Sequence, residues 1–387
     1  MKNLETLIQE LCPDGVEFVK LGECCTFKRG TTITAKNAIA GDVPVLAGGQ
    51  KPAYYHNVSN RTGETIVVAG SGAYAGYVSY WTIPVFLSDS FSVQPDNRLV
   101  TKFVYYFLKN IQQKIFATKK GSGVPHVHGS SIAKFEIPLP PIEVQTEIVR
   151  ILDKFTSLEA ELEAELDCRK RQYEYYRDKL LSFDNVGGQE VEWKKMSEIC
   201  KNICSGGTPL TSKPEYYDGN IPWLRTQEVD YCEIHSTLRN ITQLGLNNSS
   251  AKMIPANCVI VAMYGATAAK VAINKIPLCT NQACCNLEID EDKALVRYVY
   301  QWICKQYEVL KAMGEGSQHN INAKKVKDFK IPIPSLKEQN RIVSILDRFE
   351  SLSTSLQSGL PAEISARRQQ YEHYRDKLLT FKRKGAA

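Results

Sequence analysis

The chain has 387 residues, 43% of them apolar and 23% charged, with 48 Lys and Arg against 42 Asp and Glu for a net charge of +6. These values exclude collagen-like, mucin-like and disordered classes, and the length suits two or three domains. The mildly basic balance permits a nucleic-acid partner without demanding one.

No apolar run reaches the ~18 residues of a membrane helix. Met1–Leu11 carries Glu5 and Glu10 and lacks the apolar stretch of a signal peptide. A cytoplasmic protein with no membrane partner is therefore expected. Twelve cysteines occur, none spaced C-x-x-C, and they are read as reduced, mostly buried thiols rather than a zinc site.

Residues 1–134 are short Val, Ile and Tyr runs broken by Gly, Asn and Pro, a pattern of strands and loops. Val16-Glu17-Phe18 opens them. Lys51, Tyr54, Tyr55, His56 and Asn57 form a loop that mixes cation, aromatic and amide groups. Gly70-Ser-Gly72 and Gly121-Ser-Gly123 lack the lysine of a phosphate cradle and read as tight turns. Phe103–Leu108 predicts a short amphipathic helix. Lys119, Lys120 and Ser122 follow, then His126 and His128, which share one strand face across Val127. No further His or Cys lies close in sequence, so solvent- or phosphate-facing imidazoles are preferred to a metal site.

From residue 135 the pattern changes. Phe135–Phe155 reads FEIPLPPIEVQTEIVRILDKF, and Phe329–Phe349 reads FKIPIPSLKEQNRIVSILDRF, identical at 11 of 21 positions. Gln172–Phe183 and Gln370–Phe381 agree at ten of twelve. The offsets are 194 and 198 residues, so the second copy carries four extra residues. Pro141 suits a first helical turn. An apolar stripe then recurs every three or four residues through Ile148, Leu152, Phe155, Tyr173, Tyr176 and Leu180. The second copy repeats it through Ile342, Leu346, Phe349, Tyr371, Tyr374 and Leu378. Each repeat predicts a helix of about 60 Å at 1.5 Å per residue. The two stripes supply each other with a coiled partner, parallel or antiparallel. Gly359 and Pro361 predict a kink or short break in the second helix.

Residues 184–328 return to strands and loops and faintly repeat 1–134: Val191-Glu192-Trp193 answers Val16-Glu17-Phe18, and Tyr298–Ile303 answers Phe103–Leu108. Lys213, Tyr216 and Tyr217 again combine a lysine with tandem tyrosines. Arg225, Thr226 and Gln227 are side chains able to reach guanine and adenine edges. Ser317, Gln318, His319 and Asn320 precede the second helix as Lys119–Ser122 precede the first. The fold class is thus α+β: two α/β domains, at 1–134 and 184–328, separated by helical repeats at 135–183 and 329–387 that pack as a coiled-coil spacer, the whole pseudo-twofold duplicated.

Catalytic signatures are missing. There is no Walker loop, no dinucleotide fingerprint and no Asn-Pro-Pro-Tyr or Asp-Pro-Pro-Tyr methyltransferase tetrapeptide. Glu192-Trp-Lys194 reads as an ordinary strand rather than the tail of a nuclease motif.

The repeated Ile137-Pro-Leu-Pro140, Gln145, Ile148-Val149, Ile151-Leu152-Asp153 and Tyr173-Glu174 with Tyr176–Leu181 closely resemble the specificity subunit of type I restriction–modification enzymes, over essentially the whole chain. The resemblance implies a non-catalytic, DNA-binding subunit of a restriction system. Its two target recognition domains each read half of a bipartite, asymmetric target in double-stranded DNA. Its helices set the spacer and dock two methyltransferase (modification) subunits and two restriction subunits. It implies no cofactor on this chain, with S-adenosylmethionine, ATP and Mg on the partner subunits. The candidate DNA contacts are then the loop residues named above. A coiled-coil scaffold whose two domains bind proteins is the alternative.

Overall fold

The computed structural model describes residues 4–121, 123–183, 191–315, 320–354 and 359–385. Two compact units emerge, one of Met1–Ala164 with Ala362–Ala387, the other of Glu165–Pro361.

In the first unit, Thr65–Ala69 is buried at every residue, as its unbroken apolar run requires of a central strand. It lies within the sheet Cys25–Arg29, Ser90–Pro95, Thr65–Ala69, Val78–Trp81. A second sheet orders Tyr54–His56, Val43–Leu46 and Phe86–Leu87, the last two parallel. The predicted amphipathic helix is Thr101–Asn110, which buries Phe103, Val104, Tyr106, Phe107 and Leu108.

The second unit repeats this frame. Val259–Ala262 is its fully buried strand, in the order Cys200–Ser205, Cys284–Ile289, Val259–Ala262, Val271–Asn274, Cys232–Ile234. The parallel pair Val45↔Phe86 and Leu46↔Leu87 recurs as Trp223↔Cys279 and Leu224↔Thr280. Val296–Lys305 is the matching helix.

The repeated motifs are the joints between module and helix. Glu17–Lys20 pairs with Glu136–Leu139, and Glu192–Lys195 with Lys330–Ile333, as isolated two-stranded ribbons. Prolines at 138 and 332 are tolerated because each strand has one neighbour only. Gln145 is fully buried: its Oε1 accepts the Val100 N–H at 2.8 Å, and its Nε2 donates to the Arg98 and Pro140 carbonyls. Gln339 does the same for Leu295, Lys293 and Pro334. Asp153 accepts from Tyr106 Oη and Lys102 Nζ, and its counterpart Asp347 from Arg297. Replacing Gln145 by alanine strands one buried N–H and two carbonyls. We expect a loss of about 1–3 kcal/mol, read as a lower denaturation midpoint, while alanine at exposed Glu161 leaves the midpoint in place.

The first helical repeat is one helix, Ile142–Leu180, of 39 residues. The second is not. It forms two 19-residue helices, Leu336–Thr354 and Leu360–Leu378. Pro361 falls in the first turn of the latter, where its missing N–H costs nothing. The pairing is antiparallel within the first unit: Phe155 stacks on Tyr374 at 5.4 Å, while Arg368 reaches Glu159 and Glu163. Within the second unit Tyr176 stacks on Phe349 at 5.1 Å. The stripe is not all helix pairing. Ile148 and Leu152 are buried in the first module's core, and Ile342 and Leu346 in the second's. Tyr371 and Leu378 pack on the first core, Tyr173 and Leu180 on the second. Among the described residues no helix is long and apolar enough to cross a membrane.

Candidate nucleic-acid interface

Each module carries the same turn after its buried strand. In the first, Gly72 (φ +81) and Gly76 (φ +86) adopt the left-handed conformation, and the Gly76 N–H donates to Ala69 O at 2.7 Å. In the second, Gly265 (φ +78) and Ala269 (φ +70) take those places, with Ala269 N–H to Ala262 O at 2.8 Å. Alanine pays roughly 1–2 kcal/mol for that backbone, so the turn is kept at a cost.

A second loop closes against the turn. Lys120 and His126 exchange both backbone hydrogen bonds, and the Val127 N–H donates to Gly70 O at 2.9 Å. Glu315 and Asn320 exchange theirs likewise, and Ile321 N–H donates to Met263 O at 2.9 Å. The loops singled out before each helix therefore occupy equivalent places in the two modules. Ser122, Ser317, Gln318 and His319 lie outside the described residues.

His126 and His128 share a face as their spacing predicts, with rings 6.4 Å apart and 9° from parallel. Lys120 is exposed. Lys119 is drawn back, its Nζ donating to Ala73 O at 3.1 Å and lying 4.5 Å from the Phe116 ring centroid. Among the described residues no cluster of three His, Cys, Asp or Glu could hold a metal ion.

The two tyrosine loops differ from the sequence picture. Tyr54–His56 follows the strand Val43–Leu46, whereas Tyr217 begins the equivalent strand Tyr217–Leu224, so the motifs sit on opposite sides of one frame element. Tyr54 Oη is spent on Ile33 O and Tyr217 Oη on Pro209 O, both at 2.6 Å. His56 is buried, packed edge-on against Phe86, with Nδ1 accepting the Ile39 N–H at 3.1 Å. It holds the 33–39 loop and presents nothing to a ligand. Lys51, Tyr55, Asn57 and Lys213 are exposed, and Tyr216 is half-buried. Arg225 is half-buried beside Glu228, whose carboxylate accepts the Arg225 and Leu238 N–H groups; Thr226 O accepts from Thr267 Oγ1, and Gln227 is exposed.

Sequence reasoning missed Arg29 and Asp89. Their side chains meet at 3.4 Å although 60 residues separate them, and only the pairing of Cys25–Arg29 with Ser90–Pro95 brings them together. Seven of the twelve cysteines are buried and five half-buried; burial pushes Cys279 up to about 11 and Cys285 up to about 12, which keeps both protonated at neutral pH.

The family model "Type I restriction modification DNA specificity domain" matches residues 13–167 and again 189–366. A type I restriction enzyme specificity subunit of Escherichia coli is 35% identical over 408 residues, spanning 98% of this chain and 97% of that protein. Among solved structures, the S subunit of a type I restriction–modification system from M. genitalium has a TM-score of 0.62 at 19% identity, covering 94% of this chain and 96% of its own. A chain from a structure concerned with complex assembly and conformational transition of the type I R-M system has a TM-score of 0.59 at 18% identity, covering 95% and 98%. At these identities the two structures bear on the fold alone.

Proposed function

Since the chain belongs to the type I restriction modification DNA specificity family, matched over both halves, we infer that it reads a bipartite, asymmetric sequence in double-stranded DNA, one module to each half. The observation that carries this is the repeated turn-and-loop frame with different side chains: half-buried His126 stands where the second module has half-buried Asn320, and exposed Lys120 where it has exposed Glu315. Two alike frames with unlike fillings suit two unlike half-sites. B-DNA turns every 34–36 Å, and the 39-residue helix is itself about 58 Å long.

The chain supplies recognition and no chemistry. S-adenosylmethionine, ATP and Mg act on the partners, two modification and two restriction subunits. Of the stripe residues, Ile148, Leu152, Ile342 and Leu346 are buried in the modules and hold them to the helices. Tyr176 and Tyr374, 39% and 41% exposed, remain open to a docking subunit.

The test joins binding to activity. The purified chain is expected to transfer no methyl group to DNA, and added modification subunits should bring methylation. Binding should weaken steeply as salt rises, because phosphate contacts release counterions. Methyl transfer by the chain alone would refute the non-catalytic assignment. Partner binding that is strong on protein and indifferent to DNA and salt would favour the scaffold.

A further inference from the structure

A small cavity of about 200 Å³ opens in the first module between the strand end at Arg29, the start of Ser90–Pro95 and the His126–Ser130 segment. It is smaller than the ~300–1,000 Å³ usual for small-molecule sites. Its titratable side chains are Arg29, Asp89, His126 and His128, with Ser90 and Ser130 beside them. The Arg29 side chain is 69% exposed, with Nη2 3.4 Å from Asp89 Oδ1. Asp89 also accepts the Ser71 hydroxyl, from the turn described above.

The second module has the same backbone here and none of this chemistry. The pairing register makes Ser205 the counterpart of Arg29: Arg29 faces Phe91 and Ser205 faces Cys285 across the equivalent strands. The Gly70 N–H donates to Asp89 O as the Met263 N–H does to Ala283 O, so Ala283 stands for Asp89. Asn320 and Asn322 stand for His126 and His128, and His128 and Asn322 both occupy the N-cap position of the following short helix, where only the Asn322 side chain accepts a backbone N–H. The Arg29–Asp89 pair is present in the first module and replaced by Ser205 and Ala283 in the second, so it belongs to one reader and not to the shared frame.

We propose that Arg29 reads a guanine in the first half-site and that Asp89 is its positioning residue, so that one G·C pair is specified there. The inference rests on the DNA-reading function proposed above. Arginine offers the fork that matches guanine O6 and N7 in the major groove, and the Asp89 carboxylate holds that fork at the cavity. The Asp89 charge beside Arg29 disfavours a phosphate, which sets this arginine apart from a backbone contact. The parallel imidazoles of His126 and His128 wall the cavity on the side of the 120–126 loop.

The experiment uses the chain assembled with its modification subunits and DNA randomised in the first half-site, with methylated products sequenced and, in parallel, bound DNA selected from the same pool. The wild type should demand guanine at one position. Arg29→Ala should lose that demand roughly 5- to 150-fold while every other position and the second half-site stay as they were. Arg29→Lys, which keeps charge without the fork, should not restore it, and Asp89→Asn should relax the same position. If alanine halts methylation, the bound pool still reads that position. An unchanged motif, or an even loss at all positions that lysine repairs, would overturn the assignment. A wild-type complex with no preference anywhere in the first half-site would instead bring down the DNA-reading function itself.

Discussion

Replacing residues 1–134 by the recognition domain of another specificity subunit should exchange one half-site completely and leave the other untouched. Each mismatched base pair costs about 1–3 kcal/mol, roughly additively, so three altered positions would cut methylation of the original sequence by about 150-fold or more. The core permits the exchange. Ile66, Val68, Phe103, Val104 and Ile115 pack in one cluster with Ile148 and Leu152 of the long helix, and none of the second module's buried residues belongs to it. The graft must nevertheless respect two joints. Gln145 needs a backbone N–H at the place of Val100. Gly15 (φ +90) must remain glycine, because a Cβ there would lie 2.5 Å from Lys382 O, where Val16 exchanges hydrogen bonds with Lys382 and Lys384. Sequencing of methylated motifs in cells decides the outcome. A change in both half-sites together would show that the modules do not read independently.

The helices were the most legible part of the chain, because period and repeat identity both survive in a linear sequence. The identity of Gln145 with Gln339 and of Asp153 with Asp347 was visible too. Its cause was not, since their partners at Val100, Tyr106, Leu295 and Arg297 lie about 45–50 residues away. The apolar stripe looked like a single seam, yet residues at both ends of it pack on the modules, while Phe155 and Tyr374, and Tyr176 and Phe349, stack between helices. Loop composition singled out, before each helix, segments that close against the same turn in both modules. It could not tell His56, turned inward onto Ile39 and Phe86, from exposed Tyr55 beside it, because both strand faces carried polar or aromatic residues. Arg29 gave no local signal at all. It stands out only when two strands are paired and the two modules are laid in register.

Lengthening the rod should lengthen the gap between half-sites. Ile142–Leu180 belongs to the first unit up to Ala164 and to the second from Glu165, so four residues inserted after Leu162 fall close to that boundary. They add about 6 Å at 1.5 Å per residue and turn the helix by about 400°, displacing the stripe by only about 40°. The anchors at Gln145 and Asp153 are upstream and unaffected, and the Phe155–Tyr374 stack with them. Downstream, Tyr173 can still meet Gln301 and Tyr176 still meet Phe349, since those contacts lie within the second unit. With B-DNA rising about 3.4 Å per base pair along a strand, the gap should grow by one or two base pairs while both half-sites keep their sequences. Two inserted residues would rotate the helix beyond the insertion by about 200°, and methylation should be lost. The readout is the methylated motif in cells carrying each variant with the modification subunits. An active four-residue variant with an unchanged gap would mean that the helices join the readers without measuring the DNA.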